Sequence, residues 1–179
     1  MQERSDTSLI DDVKKGVPEA FDELMRRYQE PVYRIAYGFG RNRENAMDLT
    51  QEIFMKAYGK INHLHDGGRF LPWLRTLAHR EGLNWIRKYK KQYQMENFDE
   101  SIHGIIGQED ENLAMAHRHE LLNCLFSLNT RYRLAVVLRY FENMPIREIA
   151  DTMQCSEAMV KNLLFRSLCR LKTALNVKQ

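Results

Sequence analysis

The stretch from Pro145 to Lys172, PIREIADTMQCSEAMVKNLLFRSLCRLK, constrains the fold more than any other part of the chain. Ile146, Ile149, Ala150 and Met153 repeat at helical spacing and form one short apolar stripe. Pro145 suits the first turn of that helix, where its missing N–H would be unpaired anyway. Gln154 and Cys155 form a break, and the Ser156 hydroxyl can cap a second helix. In that second helix Val160, Leu164, Leu168, Leu171 and Leu175 fall on one side. Ala158, Lys161, Asn162, Phe165 and Arg166 fall on another. Two helices over a tight turn, with small Ala150 at the closest approach, make the helix-turn-helix pattern. A polar, basic face at the start of the second helix is what a DNA major groove accepts. An ordinary helical hairpin with a solvated basic face has the same pattern, so the rest of the chain decides between them.

The rest is also helical in period. Leu9, Ile10, Val13, Val17, Phe21, Leu24, Met25 and Tyr28 form a first stripe, interrupted near Gly16–Pro18. Pro31 predicts a second break, with Val32, Ile35 and Ala36 beyond it. Asn42 can cap the next helix, in which Ala46, Leu49, Ile53, Ala57 and Ile61 form a buried stripe. Asp48, Gln51, Glu52 and Met55 share its opposite face, which reads as a solvated acidic face when taken alone. Further on, Asn129 or Thr130 caps a helix whose Leu134, Val137, Leu138 and Phe141 pack behind the helix-turn-helix. No stretch alternates apolar and polar residues long enough to suggest a strand. The fold class is all-α.

The net charge of +3 is modest, but its distribution is not even. Arg69–Lys91 holds seven Lys and Arg against one Glu, and Glu96–Glu111 six acidic residues with no Lys or Arg. The segment from Ser156 onward is basic again. The acidic piece, with little helical period, reads as a flexible linker between two helical domains. Cys124, Cys155 and Cys169 form no CxxC pair, and buried structural thiols are the expectation for all three. No apolar run approaches the length of a bilayer span or a signal peptide, so an intracellular protein without membrane insertion is expected.

The basic stretch is FLPWLRTLAHREGLNWIRKYKK, from Phe70. Leu74, Leu77, Ala78, Trp85 and Ile86 form its apolar side, while Thr76, Arg80, Asn84, Arg87 and Lys88 lie opposite. Trp73 and Trp85 lie near these cations, and cations interleaved with flat aromatics suit single-stranded nucleic acid. At least one of the two tryptophans is expected in the core. The preceding loop, 62–69, holds His63, His65 and Asp66. A metal-dependent hydrolase could use these three, but no further ligand stands at a recognisable spacing, and exposed imidazoles are the simpler reading.

In this order the segments resemble the bacterial RNA polymerase sigma factors of the extracytoplasmic-function (ECF) group, which keep only the second and fourth sigma domains. AMDLTQEIFMKAY at 46–58, FLPWLRTLAHREGLNWIRK at 70–88 and the whole of 128–175 carry the resemblance, together with the helix at Phe21–Tyr37. It implies a sigma-2-like domain over 1–92, the acidic linker over 93–112, and a sigma-4-like domain over 113–179. It implies a cytoplasmic, non-enzymatic factor without cofactor or metal that joins core polymerase, recognises promoters and assists transcription initiation. Asp48, Gln51, Glu52 and Met55 would meet the clamp helices of the β′ subunit, with further contact to β. His63, Arg69, Trp73, Thr76, Arg80, Asn84, Arg87 and Lys88 would read the unwound minus-ten strand. Arg139, Arg147, Ser156, Ala158, Lys161, Asn162, Phe165 and Arg166 would hold the duplex minus-thirty-five element. An anti-sigma protein covering both domains, of the kind that governs stress responses, is the implied control. The chain departs from the family at Arg80, where Asn is usual, and at Asn84, where Asp is usual. Gly and Thr are usual at Ala158 and Met159, and Arg is frequent at Leu163, which is expected to pack. A helix-turn-helix regulator that binds duplex DNA without joining polymerase is the alternative, and it would have no use for the Asp48 face.

Overall fold

A computed structural model describes residues 4–40, 42–89 and 113–176; the expected linker, 93–112, lies outside them. The described residues form helices, helical turns and connecting loops, with no strand among them. The N-terminal unit comprises α1 (Asp6–Lys14), α2 (Glu19–Gly40), α3 (Arg43–Lys60) and α4 (Phe70–Lys88), with two 3-10 turns, Ile61–His63 and Gly67–Arg69, before α4. The C-terminal unit comprises α5 (Leu113–Ser127), α6 (Thr130–Val136), a π turn (Val137–Phe141), α7 (Ile146–Met153) and α8 (Glu157–Asn176).

The caps follow the sequence. The Asn42 side chain accepts the amide of Asn45 at the start of α3, and the Asn129 side chain accepts that of Arg131 at α6. Each such cap stabilises by about 1 kcal/mol relative to alanine. Pro31 is a correction, because α2 runs through it without a break. The ring removes one intrahelical hydrogen bond. Leu24, Val32, Ile35 and Phe39 nevertheless keep one helical register across it and are all buried, so packing on α3 and α4 outweighs the local loss. At the crossing of α2 and α4 a Cβ on Gly82 would stand 2.2 Å from the Phe39 ring. Only glycine fits there.

Pro145 is the N-cap residue of α7 with extended backbone (ψ 151°), one place before the helix rather than in its first turn. Gln154 ends α7 in the left-handed region, at φ 51°. Ser156 then accepts the amide of Met159 and caps α8 as expected. The buried side of α8 is Val160, Leu163, Leu164, Ser167 and Leu171. Leu168, expected in that stripe, is 45% exposed. At 100° per residue the buried arc is turned by roughly 40° toward Leu163 and Ser167. The Ser167 hydroxyl donates to the carbonyl of Leu163 and lies 3.2 Å from that of Tyr132, which fixes this rotation.

The two units pack on each other. Leu134, Leu138, Met144 and Ile149 join the same apolar cluster as Leu24, Ile35, Phe39 and Leu74. Tyr37 meets Phe126 with ring centroids 5.2 Å apart. Arg133, 2% exposed, donates from Nε to the Gly38 carbonyl at 2.7 Å. Leu134, Val137 and Leu138 therefore lie between the helix-turn-helix and the N-terminal unit, rather than only behind the former. Charge completes the contact. Arg34 of α2 and Arg75 of α4 both pair with Glu142, which follows the π turn.

Candidate functional site

The residues singled out in the sequence fall on three faces of the molecule. The first is the outer side of α3. Its inner stripe (Ala46, Leu49, Ile53, Ala57, Ile61) is buried as expected, which leaves Asp48, Gln51 and Met55 exposed and Glu52 half-exposed. Met55 is 70% exposed. Beside this face a groove of about 1100 Å³ runs between α2 and α3. Met25, Tyr33, Met47, Phe54, Met55 and Tyr58 supply its apolar wall, and Asp22, Glu30 and Asp48 a mainly acidic rim that also holds Arg43. Met25, expected in the buried stripe of the first segment, lines this groove instead, and Val17 is also exposed. The three methionines are the signal in the sequence that was available for it: flexible apolar side chains at 25, 47 and 55 suit a surface that adapts to a partner.

The second face is α4 and the loop before it. Arg80, Asn84, Arg87 and Lys88 are exposed, Trp73 and Thr76 are half-exposed, and His63 and Arg69 stand exposed in the loop. Trp85 belongs to the core at 9% exposure, so of the two tryptophans only Trp73, tilted against Phe70 with ring centroids 5.8 Å apart, borders the surface. The loop is held from behind. Lys14 Nζ donates to the Leu64 carbonyl at 2.6 Å, and Gly67 lies against Thr7 so closely that a Cβ would approach its Cα to 2.8 Å. His63, His65 and Asp66 are exposed, and no three His, Cys, Asp or Glu among the described residues stand close enough to hold a metal.

Under this face runs a chain of polar contacts. Glu52 on α3 pairs with Lys56 at 3.4 Å, and Lys56 with buried Glu81 on α4 at 2.6 Å. Asn84 Nδ2 donates to the same Glu81 oxygen at 3.2 Å, and Arg87 donates to Asn84 Oδ1 at 3.3 Å. Burial alone would push the Glu81 carboxyl up, but the hydrogen bonds from Lys56 and Asn84 outweigh it and hold it below the usual range. The unusual Asn84 thereby has a physical reason. An aspartate there could not donate to Glu81 and would set two carboxylates side by side.

The third face is α8 with the residues flanking α7. Ala158, Lys161, Asn162 and Arg166 are exposed, as are Ser156 and Arg147, and Phe165 is 69% exposed. Leu163 is buried, so it packs as expected and reads nothing. Arg139 is half-buried and donates to the Met144 carbonyl at 2.9 Å, so part of its donor capacity holds the turn before α7. Among the cysteines Cys124 is buried and Cys155 half-buried, but Cys169 is exposed on the outer side of α8, against expectation. It follows the same rotation of α8 that exposes Leu168.

Comparison with known proteins places this geometry. Residues 24–92 match the family model for Sigma-70 region 2, and residues 118–171 that for Sigma-70 region 4. The ECF RNA polymerase sigma factor SigM of Bacillus subtilis is 31% identical over 161 residues, covering 87% of this chain and 94% of SigM. Two solved structures share the fold. CnrH, in complex with the cytosolic domain of CnrY, aligns with 98% of the chain at a TM-score of 0.71 and 22% identity. It is covered in full. The sigma factor RpoE of Bartonella quintana, in complex with the anti-sigma factor NepR, aligns with 91% at a TM-score of 0.73 and 21% identity, and is also covered in full.

Proposed function

The chain belongs to the ECF group of RNA polymerase sigma factors, and we propose that it docks on core polymerase through the outer face of α3 and reads promoters through α4 and α8. The observation that carries the docking role is the exposed Asp48–Gln51–Met55 face, contiguous with a methionine-lined groove. Such a face suits a helical partner that brings cations to the acidic rim and apolar side chains to the groove. The clamp helices of β′ are that partner, with β as the further contact. A factor that only bound duplex DNA would expose these apolar side chains without use.

The exposed cations Arg80, Arg87 and Lys88 of α4 follow the phosphates of the unwound minus-ten strand, with Trp73 at the border for stacking. Extruding a base costs a few kcal/mol, which contacts from α4 and the loop at 62–69 must offset. Lys161, Asn162, Phe165 and Arg166 enter the major groove of the minus-thirty-five element, while Arg147 and the available donors of Arg139 meet phosphates. The chain supplies binding and positioning, and the chemistry of RNA synthesis is the polymerase's. It works in the cytoplasm, where the polymerase is. No helix among the described residues is long and apolar enough to cross a membrane. Control by an anti-sigma partner follows the example of the RpoE relative.

Gel filtration with core polymerase tests the docking role. The purified chain should co-elute with the cognate enzyme, and Asp48→Arg with Glu52→Arg should abolish co-elution while leaving the helical circular dichroism unchanged. A double variant that still co-elutes would refute the assignment of this face.

A further inference from the structure

Glu81 stands on α4 with its side chain 4% exposed, and both of its carboxylate oxygens have partners. Lys56 Nζ of α3 and Asn84 Nδ2 meet Oε2 at 2.6 and 3.2 Å, and Arg80 Nε faces Oε1 at 3.5 Å. Asn84 accepts in turn from Arg87 Nη1 at 3.3 Å. The carboxylate therefore lies beneath two exposed cations, holding Arg80 directly and Arg87 through an amide. Adjacent residues on a helix point about 100° apart, so Arg80 meets Glu81 only because its side chain turns toward it.

An ionised carboxylate in the interior is costly unless it is paired and hydrogen-bonded, and an apolar side chain would fill the same space without that cost. What the carboxylate adds is orientation. One arrangement of the Asn84 amide suits both neighbours, with Nδ2 toward Glu81 and Oδ1 toward Arg87. The reversed amide would set an oxygen against the carboxylate and an N–H against the guanidinium. Arg80 faces Glu81 through Nε while its side chain remains 55% exposed, so the outer end of the guanidinium stays open to a ligand. Arg80 and Arg87 stand about two turns, or about 10 Å, apart along one face of α4.

We infer that Glu81 is a positioning residue for minus-ten recognition, pre-setting Arg80 and Arg87 against the unwound strand with Lys56 as its counter-charge. The inference rests on the assignment of α4 to that strand. A long cationic side chain loses freedom when it settles on a phosphate, and that loss opposes binding. Side chains already held against a buried carboxylate lose less of it when the strand arrives. Lys56, the nearest cation at 2.6 Å, supplies the compensating charge from the neighbouring helix. The two arginines are therefore not needed to neutralise Glu81, and their charge remains available for phosphates. Asn84 acts here as the relay between Glu81 and Arg87.

The test separates order from stability. Lys56→Met with Glu81→Met exchanges the buried pair for apolar side chains of similar length, a change that is often neutral for folding, so the urea midpoint should stay near that of the wild type. In the free chain, the nitrogen NMR signal of the Arg80 Nε–H, assigned with Arg80→Lys, should be rigid in the wild type and move to the position of an unrestrained arginine in the double variant. Holoenzyme carrying the double variant should bind the single non-template strand of a promoter mapped with the wild type about tenfold more weakly, and a minus-thirty-five duplex less than about twofold more weakly. A stable double variant that binds the single strand like the wild type overturns the inference, as does an unchanged Arg80 signal. An equal loss on both DNAs also overturns it, because that is the effect of a damaged fold. If the double variant does not fold, Glu81→Gln decides, since it keeps an acceptor for Asn84 but no charge for Arg80. It should weaken single-strand binding about threefold, and no loss would refute the positioning role. A wild-type holoenzyme that ignores the single strand would sink the minus-ten reading itself, while the Arg80 signal would still decide whether Glu81 orders that side chain.

Discussion

Replacing Arg133 tests how the corner between α5 and α6 is held. Its guanidinium donates to the carbonyls of Gly38 (2.7 Å), Phe126 (2.9 Å) and Leu128 (3.2 Å) and to the Thr130 hydroxyl (3.3 Å). It also lies 5.1 Å from the centre of the Phe126 ring. In Arg133→Met the aliphatic part of the side chain is kept and three acceptors belonging to buried residues lose a donor. Each unsatisfied buried acceptor costs about 1–3 kcal/mol, and partial relaxation brings the expected total to about 3–5 kcal/mol. A urea titration followed by circular dichroism reads this directly. With a slope of about 2 kcal/mol per molar, the midpoint should fall by roughly 2 M. Arg133→Lys keeps the charge but cannot fork to four acceptors, and should lose about half as much. A midpoint shift below about 0.3 M for the methionine variant would refute the claim that these bonds hold the corner.

Two further outcomes follow from other parts of the molecule. Burial, with Arg131 nearby as a lesser cause, lowers the His79 pKa to about 4. The unfolded chain then binds more protons than the folded one between about pH 6.5 and 4, so stability falls as pH falls through that window, by about 3 kcal/mol in all. Urea midpoints across the window should slope for the wild type and flatten for His79→Gln, and parallel slopes would exclude His79 as the cause. Arg166→Ala should weaken minus-thirty-five binding by about 1–3 kcal/mol if the side chain reads a base. A loss equal on every sequence, with a salt slope reduced by about one, would show a phosphate contact instead.

The all-α class, the caps at Asn42, Asn129 and Ser156, and the split of α3 into a buried and an exposed face were legible because each depends on spacing within one helix. What escaped depends on contacts between helices. Pro31 signals a break locally, yet the register of Val32, Ile35 and Phe39 against α3 and α4 carries α2 through it. The period places Leu168 and Cys169 in the interior, and it cannot reveal the rotation that turns Ser167 against the Tyr132 carbonyl of α6. Val17 and Met25 are apolar at helical spacing but exposed, and only the company of Met47 and Met55 marks Met25 as a groove residue in the sequence. The role of Glu142 was invisible for a like reason, since its partners stand 108 and 67 residues away. Asn84 could be noticed as a departure from its family, with Glu81 three residues before it, but the burial of Glu81 and its pairing with Lys56 depend on α3.

The polar chain from Glu52 through Lys56, Glu81 and Asn84 to Arg87 has a consequence for heredity. A side chain on the proposed polymerase contact and two on the proposed DNA face share partners, so substitutions among them should not combine additively. A lineage that changes its promoter preference at Asn84 or Arg87 therefore alters the support under Lys56 and Glu52. New DNA specificity at these sites would have to be inherited together with compensating changes on α3. The proposed docking and reading faces would thus be tied to one another as evolving traits.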